Sequence, residues 1–482
     1  MKMTRSELVI LGCGPTALGA LERFNQLKKD NYISSHSRVL IIERESEPGG
    51  LARSIVDKNG FVWDLGVHVT GNSRFPAFVE MLKETIPNWN KIKRCIKADI
   101  SHVASDPNNT FYIPYPVQNS IHHFPPELRN QCLRELAELE TNSSTAKVNE
   151  NFGEFTRRQF GSTLQSIFIR PYNEKVAQRS PISIVVWTVP MEEMCSTWAE
   201  GRVPKINFEQ LQRTSETPLE DRTDISAFRY PADSKGMGEL WQRFASKFSD
   251  SFFMFNSEVV GINLDDKTLS VRNVKNGEQT EISNIFDLRL LLSTIPVLEL
   301  NRICGLFSDL NLRFSTVLLV GVGLHKPQNK LASELSWAYY PRSEIVFYRC
   351  TVISNFSNSL TPDPEKFWSV LCEIGRRPTD EIEPSERIVE RVIQDLKRVQ
   401  LIESEDQVHS TWFNLIPYGY PIPSLSRDSE LEKLNEKLEE HQIFSRGRFG
   451  GWKYELSNQD YCFEMGRQAV ARLYLDVDEQ LA

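Results

Sequence analysis

The chain contains 482 residues, of which 40% are hydrophobic and 25% are charged. This is the composition of an ordinary globular protein, and it excludes collagen, a coiled coil and a disordered chain as descriptions of the whole. Lys and Arg number 56 against 64 Asp and Glu, so the net charge is −8. A protein that binds nucleic acid by neutralising phosphates usually has the opposite balance, and we expect no nucleic-acid partner.

The eight cysteines are scattered along the chain, and no two are spaced as Cys-x-x-Cys. We therefore predict no metal site and no dithiol redox site. Sparse, irregular cysteine usage is typical of a reducing compartment, which predicts a cytoplasmic location. The sequence has no run of about 18 apolar residues, so we expect no insertion into a membrane.

The chain opens with a β-α-β pattern. Residues 7–11 predict a short buried strand, and residues 38–43 predict a second one. Between them, Pro15–Lys29 predicts a helix because its apolar residues recur at helical spacing. Such a unit starts many nucleotide-binding domains.

The turn between the first strand and the helix has the pattern G-x-G-x-x-G/A, formed by Gly12, Gly14 and Ala17. In this context the pattern predicts dinucleotide binding. Gly12 would allow the tight turn, Gly14 the approach of a pyrophosphate, and Ala17 the close packing of helix on strand. The helix N-terminus would bind the phosphates. A purely structural glycine turn is the alternative.

Two features after the second strand extend this prediction. Glu43 ends that strand, where a carboxylate can accept hydrogen bonds from ribose hydroxyls. Gly49, Gly50 and Leu51 follow shortly afterwards. A second glycine pair is not needed to bind NAD and suits a longer cofactor, which favours FAD; an ordinary turn is the alternative.

Asn458 and Gln459 precede the last predicted helix, Tyr461–Leu475. We interpret them as the place where the pyrimidine edge of a flavin meets a helix N-terminus. The helix dipole there would stabilise the negative charge of a reduced flavin. A simple helix N-cap is the alternative.

The rest of the chain predicts a helical region and a sheet region. Glu127–Thr217 is rich in helix formers and has one break, at Ser180-Pro181. The apolar part of 283–296 predicts a strand that returns to the first sheet. Several β-like runs between Phe314 and Phe413 predict a mainly antiparallel sheet.

Long ordered motifs make the chain resemble the eukaryotic type of UDP-galactopyranose mutase over nearly its whole length. The motifs are GGLARSIVDKNGFVWDLG (49–66), IPYPVQNSIHHFPPE (113–127), IRPYNEKV (169–176), VWTVPMEEMCSTWAEGRV (186–203), SWAYYP (336–341), FYRCTVISNFS (347–357), YGYPIPSL (418–425) and SRGRFGGWKYELSNQD (445–460). Matches of this length are far more specific than the glycine pattern.

The resemblance implies an α/β fold, in which an FAD-binding Rossmann-like domain is interleaved with a helical domain and a mainly antiparallel β-sheet domain. It also implies interconversion of UDP-galactopyranose and UDP-galactofuranose without net redox change. In that family FAD, reduced by NADPH or NADH, forms a covalent adduct between its N5 atom and the sugar. The implied domain limits are 1–112, 225–300 and 441–482 for the FAD-binding parts, 113–224 for the helical lid and 301–440 for the antiparallel sheet.

The family motifs also imply roles for individual residues. The implied catalytic residues are His68 facing the flavin, Arg202 and Arg349 clamping the diphosphate, and Arg448 near flavin and sugar. The implied substrate residues are Tyr339, Tyr420 and Tyr454 for phosphate or sugar, Trp337 and Asn173 beside the sugar, Trp187 next to the site, and Tyr115, Gln118 and Phe168 on the uridine side. The sequence leaves the oligomeric state open, a homo-oligomer included.

The chain departs from the family pattern at several places. Val67 and Ser457 replace family glycines, and Phe356 stands where the family often has tyrosine. About nine extra residues, Ala177–Val185, separate Asn173 from Trp187. No residue near 224–227 matches the family's substrate-side asparagine. These departures put the identity of the sugar in question more than the cofactor.

Two other functions stay open. An amine-oxidase-like or phytoene-desaturase-like flavin oxidoreductase would share the Rossmann end, but it predicts an apolar substrate tunnel without paired arginines. A catalytically impaired UDP-sugar binder would bind UDP and form no furanose product.

Overall fold

The computed structural model describes residues 8–104, 110–141, 150–175, 187–199, 202–203, 206, 211, 228–282 and 291–481. The strands are β1 (Leu8–Leu11), β2 (Val39–Ile42), β3 (Ser54–Val56), β4 (Val62–Asp64), β5 (Trp89–Ile92), β6 (Ile96–Asp99), β7 (Tyr112–Pro114), β8 (Phe228–Pro231), β9 (Phe253–Met254), β10 (Ser257–Asn263), β11 (Thr268–Asn273), β12 (Gln279–Ile282), β13 (Leu291–Ser293), β14 (Phe314–His325), β15 (Trp337–Tyr339), β16 (Arg349–Thr351), β17 (Phe367–Arg376), β18 (Val408–Pro421) and β19 (Ile443–Ser445). The helices are α1 (Pro15–Lys29), α2 (Pro76–Thr85), α3 (Pro126–Thr141), α4 (Phe152–Leu164), α5 (Arg170–Asn173), α6 (Gly238–Ala245), α7 (Val297–Cys304), α8 (Lys330–Glu334), α9 (Ser385–Arg398), α10 (Arg427–Glu440) and α11 (Gln459–Leu475).

A five-stranded parallel sheet gathers strands from distant parts of the chain, in the order β19-β13-β1-β2-β9. Ile10 in β1 pairs with Leu292 on one side and with Ile41 on the other. All four residues of β1 and of β2 are buried, which explains why both strands are continuously apolar. The predicted β-α-β unit and the return of residues 291–293 to this sheet are confirmed.

The second large sheet has seven strands, in the order β18-β14-β17-β16-β15-β6-β7, and every pair except β15 with β6 is antiparallel. One face packs its apolar side chains against α9 through Ile388 and Val392. The other face carries Leu371 into the core shared with the parallel sheet. The fold class predicted from the sequence is confirmed, with a mainly antiparallel sheet beside a parallel nucleotide-binding sheet and helices. The domain limits stay predictions.

The predicted helical stretch contains α3, α4 and α5, and a π-helical turn over Gln165–Ile169 joins the last two. The predicted break at Ser180-Pro181 and the extra stretch 177–185 lie outside the described residues, as does 224–227. Among the residues that the structure describes, no helix is both long enough and apolar enough to cross a membrane.

Helices α1 and α11 approach each other so closely that glycine is required at the contact. A Cβ atom built on Gly466 would lie 1.9 Å from the carbonyl oxygen of Thr16, and one on Gly19 would lie 2.0 Å from that of Phe463. Both obstacles are backbone atoms, which a rotamer change does not remove. The N-terminal halves of the two helices are therefore held side by side.

We expect Gly466→Ala to lower the free energy of unfolding by about 1–3 kcal/mol, because the methyl group must force the two helices apart. Gly261→Ala is the control, since its Cβ would have no neighbour closer than 3.6 Å. Chemical denaturation of both variants measures the difference. Equal stabilities would contradict the tight contact.

Candidate active site

The two predicted glycine motifs meet and form one surface. Gly12 has φ of +86°, a conformation that glycine adopts without strain. The amide of Gly49 donates to the carbonyl of Cys13 at 2.8 Å. A Cβ built on Gly50 would lie 3.2 Å from the Cα of Gly14, so the two backbones touch directly. A purely structural turn at Gly12–Gly14 would not need the segment Gly49–Gly50 packed against it. Together the two segments form a surface, here called the glycine cradle, which side chains at these positions would fill.

The N-terminus of α1 begins directly at this cradle. Gly14 is its N-cap residue and offers no side-chain cap, so the first amide groups of the helix are free for a ligand. Ala17 is fully buried beneath the turn, as its predicted packing role requires. This arrangement is typical of a phosphate-binding helix start.

Glu43 is buried at the end of β2, and its carboxylate accepts hydrogen bonds from two backbone amides. Its two oxygens lie 2.6 Å from the nitrogen of Cys13 and 2.9 Å from that of Glu45. Burial raises the pKa of Glu43 above its ordinary value, and the two amides act in the opposite direction. The side chain lines the cavity described next, and its predicted contact with a ribose stays a prediction.

One cavity of about 1140 Å³ joins the glycine cradle to the predicted arginines. Its size exceeds that of most small-ligand pockets, which suits two extended ligands side by side. The predicted site residues on its wall are Gly12, Gly14, Glu43, Gly50, Leu51, His68, Arg202, Arg349, Tyr420, Arg448, Tyr454, Asn458 and Gln459. The departures Val67 and Ser457 also line it, whereas Phe356 is buried in the core against Tyr230.

The N-terminus of α11 opens onto the same cavity. Asn458 is the N-cap residue and makes no side-chain cap bond, which weighs against a role as a simple cap. The side-chain oxygen of Gln459 accepts a hydrogen bond from the indole of Trp241 at 2.7 Å. The helix dipole at this point favours negative charge in the cavity.

His68 is neutral in this environment. Burial, followed by the positive charges of Arg448 and Arg349, lowers its pKa to about 3. Its Nδ1 atom is buried and has no hydrogen-bond partner among the described residues. A neutral imidazole can accept or donate a hydrogen bond to a ligand, and it does not act as a cation at neutral pH.

Arg349 is paired with a buried acid that the sequence analysis missed. Its Nε and Nη2 atoms donate to the two oxygens of Glu373 at 2.7 and 2.6 Å. The hydroxyl of Tyr348 donates to the same carboxylate at 2.8 Å. Burial opposes the charge of Arg349, but Glu373, Tyr420 and Tyr348 together outweigh burial and hold the pKa of the guanidinium well above its ordinary value. The signal in the sequence is a lone acid inside the apolar strand β17.

Arg202 has a different environment. Its guanidinium lies over the ring of Tyr461 at 5.3 Å from the centroid. Its Nη2 atom is buried, and no described residue accepts a hydrogen bond from it. Glu373 therefore compensates the charge of Arg349, whereas the Nη2 donor of Arg202 has no acceptor among the described residues.

Arg448 lies beside Tyr420, with its guanidinium 5.0 Å from the ring centroid. Its Nη2 atom donates to the carbonyl of Gly419 at 2.8 Å, and its Nε atom is buried with no partner in the described chain. The unsatisfied atoms of His68 and Arg448, together with the glycine cradle and the free helix starts, fit a bound flavin.

Seven predicted substrate residues do not line this cavity. Trp187 contacts the rings of Tyr454 and Tyr420, with centroids at 4.6 and 6.0 Å. Trp337 stacks on Phe228, which does line the cavity. The rings of Tyr115, Phe168 and Tyr339 contact one another or Tyr172, and Gln118 and Asn173 are buried. Their contact with a substrate stays a prediction.

Comparison with known proteins identifies the relatives of this chain. The model of the family described as flavin containing amine oxidoreductase matches residues 31–430. A crystal structure of reduced UDP-galactopyranose mutase has 31% sequence identity and a TM-score of 0.83, covering 98% of this chain and 96% of that one.

More distant structures share the fold alone. A CLA-producing fatty acid isomerase from P. acnes has 13% identity and a TM-score of 0.59, covering 97% of this chain and 98% of that one. A putrescine oxidase has 14% identity and the same TM-score and coverage.

The resemblance stated from the motifs is thus confirmed, and the family indicates a flavin cofactor. On the 31% identity over nearly the full length of both chains, the chain belongs to the UDP-galactopyranose mutase family, within the flavin containing amine oxidoreductases.

Proposed function

We propose that this protein is a UDP-galactopyranose mutase that uses FAD and converts UDP-galactopyranose and UDP-galactofuranose into each other. One observation carries the proposal: a single cavity continues from the glycine cradle at Gly14 and Gly50 to Arg202 and Arg349. A flavin dinucleotide and a nucleotide diphosphate can therefore lie in contact. Bound and reduced, the flavin supplies an electron-rich nucleophile for the anomeric carbon of the sugar.

The chain's own residues would hold both ligands. The amides at the starts of α1 and α11 would bind phosphate and the pyrimidine edge. The guanidinium groups of Arg202 and Arg349 would hold the diphosphate while UDP is detached, since planar forks match phosphate oxygens. Because Glu373 takes Nε and Nη2 of Arg349, the Nη1 atom would face the phosphate.

Neutral polar groups would orient the sugar. Burial raises the pKa of Tyr454 to about 12, so its phenol stays protonated and can donate a hydrogen bond. Burial also keeps His68 neutral, in this case by lowering its pKa, and His68 would fix the flavin rather than carry a proton. Trp187, in contact with both Tyr420 and Tyr454, would keep water away from the sugar.

The arginines of the cavity weigh against an amine-oxidase-like activity. Such an enzyme would have an apolar substrate tunnel without paired arginines, whereas Arg202 and Arg349 both line this cavity. A catalytically impaired protein would bind UDP-sugars as a mutase does but would form no product. The first experiment below distinguishes the two by measuring product formation.

We expect the protein reduced with dithionite or NADPH to convert UDP-galactofuranose to UDP-galactopyranose, and the oxidised protein to be inactive. The reason is that the flavin would supply an electron-rich nucleophile only in its reduced form. Chromatography of the products under anaerobic conditions is the measurement. Equal turnover by the oxidised form would refute the mechanism, and binding without product would identify the impaired binder.

We expect Arg349→Ala and Arg202→Ala each to weaken UDP binding by about 1.5–3 kcal/mol, the contribution of a charge-assisted hydrogen bond, with FAD retained. Arg202→Ala is the cleaner variant because it leaves no buried acid without a partner. Arg243→Ala, which removes a pair with Glu239 on the exposed side of α6, is the control. Calorimetric titration with UDP is the measurement, and unchanged affinity in both variants would refute the clamp.

We expect His68→Gln to lower kcat/KM by less than about 100-fold and to leave the shape of its pH profile unchanged, since a proton-transfer role is worth 10²–10⁴-fold. With a pKa of about 3, His68 stays neutral from pH 5 to pH 8 and adds no ionisation there. The kcat/KM of both proteins is measured across that range. An ionisation near pH 6.5 that disappears in the variant would contradict this role.

A further inference from the structure

Lys175 is a buried cation that the proposed function does not use. It lies two residues after the end of α5, and only 1% of it is exposed to solvent. Its Nζ atom donates to the carbonyl of Tyr340 at 2.7 Å and to that of Phe347 at 2.6 Å. Both bonds are short and link segments that are far apart in the sequence.

The two carbonyls belong to the connection between β15 and β16. Tyr339, the last residue of β15, pairs in register with Arg349, the first residue of β16. The amide of Tyr340 also donates to the carbonyl of Tyr348 at 2.9 Å, which closes the connection on itself. The ammonium group therefore bridges both ends of the hairpin that presents Tyr339 and Arg349.

On its other side, Lys175 belongs to the segment that carries Asn173. The side-chain amide of Asn173 donates to the carbonyl of Ile169 at 2.7 Å, so this residue is fixed to its helix. One ammonium group thus joins the helical wall of the predicted substrate site to the sheet wall.

The charges around Lys175 are mostly committed to other partners. Asp99 is paired with Arg342 at 2.7 Å, and Asp395 accepts a hydrogen bond from the amide of Val346 at 2.7 Å and pairs with Arg398. These two acids and Glu344 favour the protonated lysine, and Arg342 opposes it. Among the described residues, no carboxylate forms an ion pair with Lys175 itself. Burying an ammonium group costs desolvation free energy, which an apolar side chain at the same place would not cost. Packing alone therefore does not explain a lysine here.

We propose that Lys175 is a positioning residue for the nucleotide-sugar site, whose ammonium group fixes Tyr339 and Arg349 relative to Asn173. The proposal rests on the proposed function, because it assigns these three residues to the substrate.

The proposal has a pH consequence with a definite sign. Burial lowers the pKa of Lys175 to about 7, although Asp395, Asp99 and Glu344 act against burial. Below this pKa the ammonium makes charge-assisted bonds to both carbonyls, and above it a neutral amine makes weaker ones. Affinity for the substrate should therefore fall as the pH rises through 7.

The main experiment measures the affinity of the FAD-loaded protein for UDP-galactose, whose diphosphate does not titrate in this range. Lys175→Met keeps the length of the side chain and removes its donors. We expect it to bind UDP-galactose at least about tenfold more weakly, with FAD content and absorption spectrum unchanged. The matched control is Lys28→Met, which removes a 2.8 Å bond from Nζ to the carbonyl of Ser37 far from the predicted substrate residues, and we expect no change in affinity.

The pH profile separates positioning from a merely structural role. From about pH 6 to about pH 8.5 we expect the wild-type affinity to fall roughly three- to tenfold, and that of Lys175→Met to stay flat. A structural role alone would lower the thermal stability of Lys175→Met and leave its affinity at low temperature equal to the wild type. That result overturns the proposal.

Two further outcomes are decisive. If Lys175→Met does not fold, Lys175→Gln replaces it; its amide is too short for both carbonyls, and wild-type affinity in that variant overturns the proposal. If the wild-type protein does not bind UDP-galactose at all, the proposed function fails, whereas wild-type binding with unaffected Lys175 variants refutes the positioning role alone.

Discussion

The architecture of the site depends on one steric constraint, the contact of backbone with backbone at glycine. Helices α1 and α11 lie together because Gly19 and Gly466 have no side chain, and the glycine turn at Gly14 touches Gly50 for the same reason. These contacts bring two helix N-termini to one cavity, although their sequences are more than 400 residues apart. Because each N-terminus carries partial positive charge, the cavity attracts anions before any side chain is considered.

Both arginines and acids line this cavity, inside a chain whose net charge is −8. Arg202, Arg349 and Arg448 all line the cavity, and burial, together with the charges of Arg448 and Arg349, lowers the pKa of His68 and keeps it neutral. The carboxylate of Glu373 compensates the charge of Arg349, which can therefore stay charged although it is buried. A local field of this kind depends on which charges are brought together, and the overall composition carries no information about it.

The local part of the structure could be predicted from the sequence. The helix Pro15–Lys29 has the predicted bounds, since its periodicity and its preceding glycines are features of adjacent residues. The family motifs located Arg202 and Arg349 on the cavity wall without any knowledge of distances. Glu373 and Lys175 were missed because their significance comes from partners that are distant in the sequence. Glu373 meets Arg349 only when β16 pairs with β17, and Lys175 meets its two carbonyls only when the segment after α5 reaches the connection between β15 and β16.

Glu373 and Lys175 act on the same short strand from two directions. Glu373 holds the side chain of Arg349 through register-paired residues of β16 and β17, and Lys175 holds the backbone just before it through the carbonyl of Phe347. An arginine fixed at both its backbone and its guanidinium has little conformational entropy left to lose when it binds an anion. Since the ordering of long side chains opposes binding by about 0.5–1.5 kcal/mol each, such preorganisation would strengthen the binding of the diphosphate in the function proposed above.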